Sequence, residues 1–234
     1  MEFSKESLLA GEVILIDKPL NWTSFQVVNK IRWLIRKNFD IKKIKVGHAG
    51  TLDPLATGLL IICCGKMTKE IDRFQAQEKT YSGTFRIGAT TPSYDLETEI
   101  DQVYPTDHIS LDFLEKSRLN FLGHIEQQPP IFSALKKEGK RLYEYARKGE
   151  EIEVPMRRVN IHQFDINTSS FPDIQFEINC SKGTYIRSLA HDFGKDLESG
   201  AHLTSLRREK IGEYHVNKAF SIEAFESLVM RNQQ

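Results

Sequence analysis

From Leu59 to Cys64 the chain reads Leu-Leu-Ile-Ile-Cys-Cys, six apolar residues without a break. A strand with one wet face alternates, so an unbroken run of this length predicts a strand covered on both sides. The fold must therefore supply apolar cover for two faces. Phe25, Val27, Val28, Ile31, Leu34 and Ile35 form one such surface, the apolar stripe of a helix capped by Thr23 or Ser24. The other side of that helix carries Lys30, Arg32 and Arg36. Val13 to Ile16 is a shorter apolar run, ended by Lys18-Pro19, and reads as a second buried strand.

The remaining pattern is mixed. Thr80 to Ile87 alternates, with Tyr81, Phe85 and Ile87 on one side, as in a half-buried strand. Val159 to Ile166 is strand-like with a phase slip at His162-Gln163, which predicts a bulge. Ile174, Phe176, Ile178 and Cys180 alternate with polar neighbours. Helical spacing marks Leu111 to Leu119, Leu142 to Arg147, a segment from Thr184 with Ile186, Leu189, Ala190, Phe193 and Leu197 inward, and roughly Ser221 to Met230. No repeat, low-complexity tract or linker interrupts the 234 residues, so one mixed α/β (α+β) domain with largely antiparallel pairing is expected.

Composition narrows the class. No apolar run is long enough to span a bilayer, and the first residues lack a signal peptide's apolar core. Three cysteines, Cys63, Cys64 and Cys180, make a poor disulfide framework and fit a reducing cytoplasm. Lys plus Arg and Asp plus Glu each number 32, so the chain does not grip nucleic acid by overall charge, although local patches can. Basic residues cluster at Lys30, Arg32, Arg36, Lys37, Lys42, Lys43 and Lys45, at Lys136, Lys137, Lys140 and Arg141, and at Arg207, Arg208 and Lys210. Acids gather at Asp95, Glu97, Glu99 and Asp101 and at Glu150, Glu151 and Glu153. Lys136 to Arg141 and Arg207 to Lys210 are the expected phosphate contacts.

Between the first helix and the apolar run lies GHAGTLDPLATG, Gly47 to Gly58. Its glycines allow close backbone approaches, and Pro54 stiffens the chain directly after Asp53. Asp53 then either caps a turn, as Asp before Pro often does, or is a carboxylate presented for chemistry beside Leu52, Leu55 and Leu59. A second stretch, CSKGTYIRSLAHDFG, sets Tyr185 and Arg187 in the first turn of a helix, with Arg187 next to the apolar stripe. A partly buried guanidinium needs an acid; Asp53 is one candidate among 32. His48 and Asp53 lack a third ligand in register, so no metal is expected. No nucleophile elbow is present.

These residues resemble a known family. GHAGTLDPLATGLL is similar to the catalytic motif of the TruB family of tRNA pseudouridine synthases, and ILIDKPLNWTSFQVVNKIR to its opening strand, Lys-Pro turn and helix. KTYSGTFRIGATTPSYDLE, FSALKKEGKRLYEYARKGEEIEVPMR, CSKGTYIRSLAHDFG and AHLTSLRREKIG resemble later motifs in the same order, over roughly residues 11 to 215. The resemblance implies the pseudouridine synthase core, a mainly antiparallel sheet flanked by helices with a central cleft. It implies Asp53 as catalytic carboxylate, Arg187 as its ionic partner and Tyr81 as the aromatic stacking on the target base. Tyr185 would be a further wall, His48 would stack among flipped bases, Leu206 would line the pocket, and Lys18 and Pro19 would brace the loop.

The implied substrate is uridine 55 in the T loop of tRNA. Pseudouridine formation breaks N1–C1′, turns the ring and joins C5 to C1′, so substrate and product are isomers and no cofactor is needed. Asp53 could attack C1′, add to C6 or act through a glycal, and each route uses an ionised acid. The target must first be flipped from the loop. A monomer without a partner protein is expected. The chain stops at Gln234, so it is expected to lack the PUA domain of many family members, and TTPSYDLETE lacks an Asp/Gly pattern found in others.

Overall fold

The apolar run lies in a strand with no exposed face in the structure, a computed structural model that describes residues 3–133, 135–137, 139–150 and 152–231. Glu151, counted above in an acidic cluster, lies outside the described residues, as does the side chain of Lys136. In chain order the elements are α1 (Lys5–Ala10), β1 (Val13–Lys18), α2 (Ser24–Asn38), β2 (Val46–His48), β3 (Ala56–Cys64), α3 (Ile71–Gln75), β4 (Lys79–Ile87), β5 (Ala89–Thr90), β6 (Gln102–Val103), α4 (Leu111–Asn120), β7 (Gly123–Gln127), β8 (Lys136–Lys137), β9 (Lys140–Arg141), α5 (Leu142–Ala146), β10 (Arg157–Ser170), β11 (Asp173–Cys180), α6 (Ile186–Asp196), β12 (Ala201–Ile211), β13 (Tyr214–His215) and α7 (Ile222–Arg231). The class is mixed α/β with mainly antiparallel strands and helices packed on them, as expected. Two compact units are formed, Met1–Tyr81 with Leu206–Gln234, and Ser82–Ser205.

In the first unit β3 pairs antiparallel with β1, Lys18 opposite Gly58, and with β2, His48 opposite Ile62. On the edge away from β1, the same edge as β2, β3 takes β12 in parallel, Leu206 opposite Ala56 and Arg208 opposite Gly58. Leu60, Ile62 and Cys64 join Val27, Val28, Ile31, Leu34 and Ile35 of α2 and Phe225 and Val229 of α7 in one core. Leu59, Ile61 and Cys63 pack with Phe74, Ile211 and Val216 in another. Two apolar layers against one strand are why its sequence does not alternate.

The cap of α2 is Thr23, whose Oγ1 accepts from Gln26 N at 3.1 Å while Gln26 Oε1 accepts from Thr23 N at 2.7 Å. Phe25, placed by spacing in the apolar stripe, is 65% exposed. It sits about 100° round the helix from buried Ser24, outside the arc that faces the core.

In the second unit β10 pairs antiparallel with β11 and β7. The register slips between Ile161 and Gln163, which makes His162 the predicted bulge. Phe85 lies 4.2 Å from Phe176 and 6.2 Å from Phe193 of α6 between ring centres, so the alternating strand and the helical stripe meet as their periods require. The helix α6 starts at Ile186, and Tyr185 is its extended cap rather than part of its first turn. Helix α1 and strand β12 were not legible from periodicity.

Candidate active site

The glycine loop of the first unit is held by side chains that grip its backbone. Ser24 Oγ donates to Leu52 O at 3.1 Å and accepts from Leu52 N at 2.9 Å, fixing the residue before Asp53 from both ends. The residue after it, Pro54, has its carbonyl taken by Asn21 N at 2.8 Å and by Lys18 Nζ at 3.4 Å. Ala56 N closes a turn onto Asp53 O at 3.1 Å. Asp53 itself is half-buried, so its side chain projects from a fixed backbone without being sealed from solvent.

Lys18 is fully buried at the end of β1, and its ammonium also donates to Trp22 O at 2.6 Å and Pro19 O at 3.0 Å. Burial lowers its pKa to about 8, a shift that the nearby Asp53 carboxylate opposes and the Arg208 guanidinium assists. Arg208 is 1% exposed. Its Nε donates to Leu59 O at 2.8 Å, Nη2 to Gly50 O at 3.0 Å and Nη1 to Thr51 O at 3.4 Å. One guanidinium thus ties the start of the loop to the strand that follows it. The assignment of Arg208 as a phosphate contact is corrected by this burial. Its neighbour Arg207 is engaged as well, with Nη2 2.7 Å and Nη1 3.1 Å from the two oxygens of Asp17.

Gly58 adopts φ +102°, and a Cβ there would lie 2.4 Å from Arg208 O, so close strand pairing requires glycine. His48, half-buried on β2, has its pKa lowered first by burial and then by Arg208. Its Nδ1 is buried and has no hydrogen-bond partner among the described residues. A neutral imidazole of this kind offers a flat face for stacking. Leu206 is half-buried opposite Ala56, three residues beyond Asp53. Tyr81 is buried on β4, and Pro19 is half-buried.

The second unit holds Arg187 at 4% exposure. Its Nη1 stands 3.4 Å from Asp95 Oδ2 and donates to Ser93 O at 3.2 Å, while Nη2 donates to Phe132 O at 2.8 Å. Asp95 is buried in a turn in which Thr91 Oγ1 and Ser93 Oγ donate to its carbonyl and Glu97 N to its Oδ1. Tyr185 is positioned through its backbone: N donates to Gln127 Oε1 at 2.8 Å, and Gln127 Nε2 donates to Tyr185 O at 3.0 Å. The Arg157 guanidinium lies 5.7 Å from the Tyr185 ring centre.

Sequence reasoning did not single out Asp95, Ser24 or Arg208 for these positions. Asp95 carried no more signal than the acids around it, and Arg208 looked like one base in a run of three.

Residues 36–186 match the TruB family pseudouridylate synthase (N terminal domain). The chain belongs to the TruB family. Its residues 187–234 match the tRNA pseudouridylate synthase B C-terminal domain. This TruB chain is 60% identical to the tRNA pseudouridine synthase B of Flavobacterium johnsoniae over 222 residues, 94% of this chain and 97% of the relative. It is 54% identical to the tRNA pseudouridine synthase B of Phocaeicola vulgatus over 215 residues, 92% of each. Among solved structures, a chain of a Cbf5-Nop10-Gar1 complex matches with TM-score 0.69 and 25% identity; the match covers 95% of this TruB chain and 55% of that one.

Proposed function

We propose that this enzyme converts uridine 55 in the T loop of tRNA to pseudouridine, with Asp53 as the working carboxylate. The observation that carries the reading is the construction of the Asp53 loop: Leu52 and Pro54 on either side are clamped by Ser24, Asn21 and Lys18, and Arg208 holds the loop's start. Such investment fixes the backbone from which one side chain projects, as a reaction at a single carbon of a flipped nucleotide needs. The TruB membership and the names of the Flavobacterium and Phocaeicola relatives support the substrate.

The extruded uracil stacks on Tyr81, while His48 occupies stacking space among the displaced bases, at roughly 1–3 kcal/mol per stacked base. Leu206 and Tyr185 line the pocket, and Lys18 and Pro19 brace the loop. Arg187 is the proposed ionic partner of that acid, whose carboxylate form is used by attack at C1′, addition at C6 and the glycal route alike. The enzyme works as a monomer on the T arm in the cytoplasm. Among the described residues no helix is long and apolar enough to cross a membrane.

The test is release of tritium from unmodified tRNA transcript labelled at uracil C5. Release from one T-loop uridine, abolished in Asp53→Asn while binding persists, is the expected result. A folded transcript that loses no label at low salt overturns the enzyme reading, and activity surviving in Asp53→Asn overturns the assignment of the carboxylate.

A further inference from the structure

Helix α2 buries one face, and its opposite face is unusual in charge and in aromatic content. Trp33, Arg36 and Lys37 stand at i, i+3 and i+4, hence on one side of the helix. Trp33 is 48% exposed, and the ammonium groups of Lys30 and Lys37 lie 5.1 and 4.9 Å from its ring centre. Two cations on one solvent-facing indole are held at a set spacing by cation–π attraction. The chain then runs on through exposed Lys42, Lys43 and Lys45. From residue 30 to 45 there are seven bases, Lys30, Arg32, Arg36, Lys37, Lys42, Lys43 and Lys45, against the single acid Asp40, in a chain of zero net charge.

Two of the seven are committed. Lys30 pairs with Glu226 at 2.9 Å, and Arg32 donates to Asn29 Oδ1 and Val46 O. Arg36, Lys37, Lys42, Lys43 and Lys45 form no ion pair with any described residue. Uncompensated like charges repel one another, and an anion with repeated charges relieves that repulsion.

We infer that this face of the first unit docks the sugar–phosphate backbone of an RNA stem in the substrate, away from the nucleotide that reacts. The inference rests on tRNA being the substrate. Ser24, the first residue of α2, holds Leu52 beside Asp53, and Arg36 lies about 18 Å further along the axis at 1.5 Å per residue. A nucleotide delivered to Asp53 therefore brings stem phosphates to the basic face several base pairs away. Contacts of this kind position RNA without reading its sequence.

The experiment compares the parent with the variant Arg36→Gln/Lys37→Gln/Lys42→Gln/Lys43→Gln, measuring the affinity for folded, unmodified tRNA across a salt series. Each phosphate that the variant no longer neutralises reduces the steepness of log K against log salt by about 0.7–0.9, so four should remove about 3 and weaken binding at 50 mM salt by roughly tenfold or more. The melting temperature should change little, because all four side chains are exposed and the Lys37 contact with Trp33 is worth only about 0.5–1 kcal/mol. A variant with the parent's affinity and slope overturns the inference. Failure of the catalytic reading looks different: the parent then releases no tritium, whatever the salt slope of either protein.

Discussion

Arg187 Nη1 lies 3.4 Å from Asp95 Oδ2, and both side chains are almost fully buried, at 4% and 7% exposure. The guanidinium is thereby oriented within its own unit by a carboxylate from the turn after β5, with Ser93 O and Phe132 O accepting from its Nη atoms. Removing one partner of a buried pair leaves a charge without compensation, which costs about 3–5 kcal/mol. Asp95→Asn keeps the shape and loses the charge. It should lower both the urea midpoint and kcat, whereas Asp53→Asn, at a half-buried position, should abolish turnover with little change in the midpoint. Equal stability of Asp95→Asn and parent would contradict the pair's role.

Arg208 is a cation used as a clamp. Its three carbonyl partners, Gly50, Thr51 and Leu59, span the loop that presents Asp53. Arg208→Met leaves those acceptors without a donor, at about 1–3 kcal/mol each if they stay buried. A melting temperature lowered by several degrees and a fall in kcat larger than the change in KM are expected. Arg208→Lys keeps the charge but not the planar fork, and should fall between the two.

Gly58 and Gly123 separate strain from collision. Both have positive φ, +102° and +83°, but a Cβ at Gly58 meets Arg208 O at 2.4 Å while one at Gly123 meets nothing within 4 Å. Gly123→Ala should cost about 1–2 kcal/mol from backbone conformation alone. Gly58→Ala must also part β3 from β12, so its loss, read by urea unfolding, should be clearly larger.

Lys18 gives opposite pH trends for stability and activity. Its folded pKa of about 8 lies below the ordinary lysine value of 10.5, so keeping the buried amine protonated opposes folding. That penalty is complete below pH 8 and fades as the pH climbs from 8 to 10.5, so Lys18 contributes a rise in stability over this window. The ammonium, in contrast, donates to Pro19 O, Trp22 O and Pro54 O around the Asp53 loop, and a neutral amine has one donor fewer, so kcat should fall as the pH rises through about 8. Lys18→Arg, which stays charged, should flatten that limb in a pH–rate profile; a limb unchanged in Lys18→Arg would remove Lys18 as its source.

Much of the architecture could be read from residue periods alone. Leu59 to Cys64 required two apolar layers, α2 supplied one of them, the phase slip at His162 was a bulge, and Tyr81, Phe85 and Ile87 are all buried on β4. These patterns are local, because each residue's neighbours in sequence fix which face of its element it shares. Strand β12 was invisible to the same reasoning: His202 and Arg208 are buried in it, and no alternation survives when polar groups find partners inside. Resemblance singled out Asp53 and Arg187, but only the folded chain showed that Leu52 and Pro54 are pinned by Ser24, Asn21 and Lys18, that Arg208 is spent on carbonyls and that Asp95 holds Arg187. The reason is physical. A side chain's hydropathy is its own, whereas the meaning of a charge depends on which opposite charge or carbonyl the tertiary fold brings within about 3 Å.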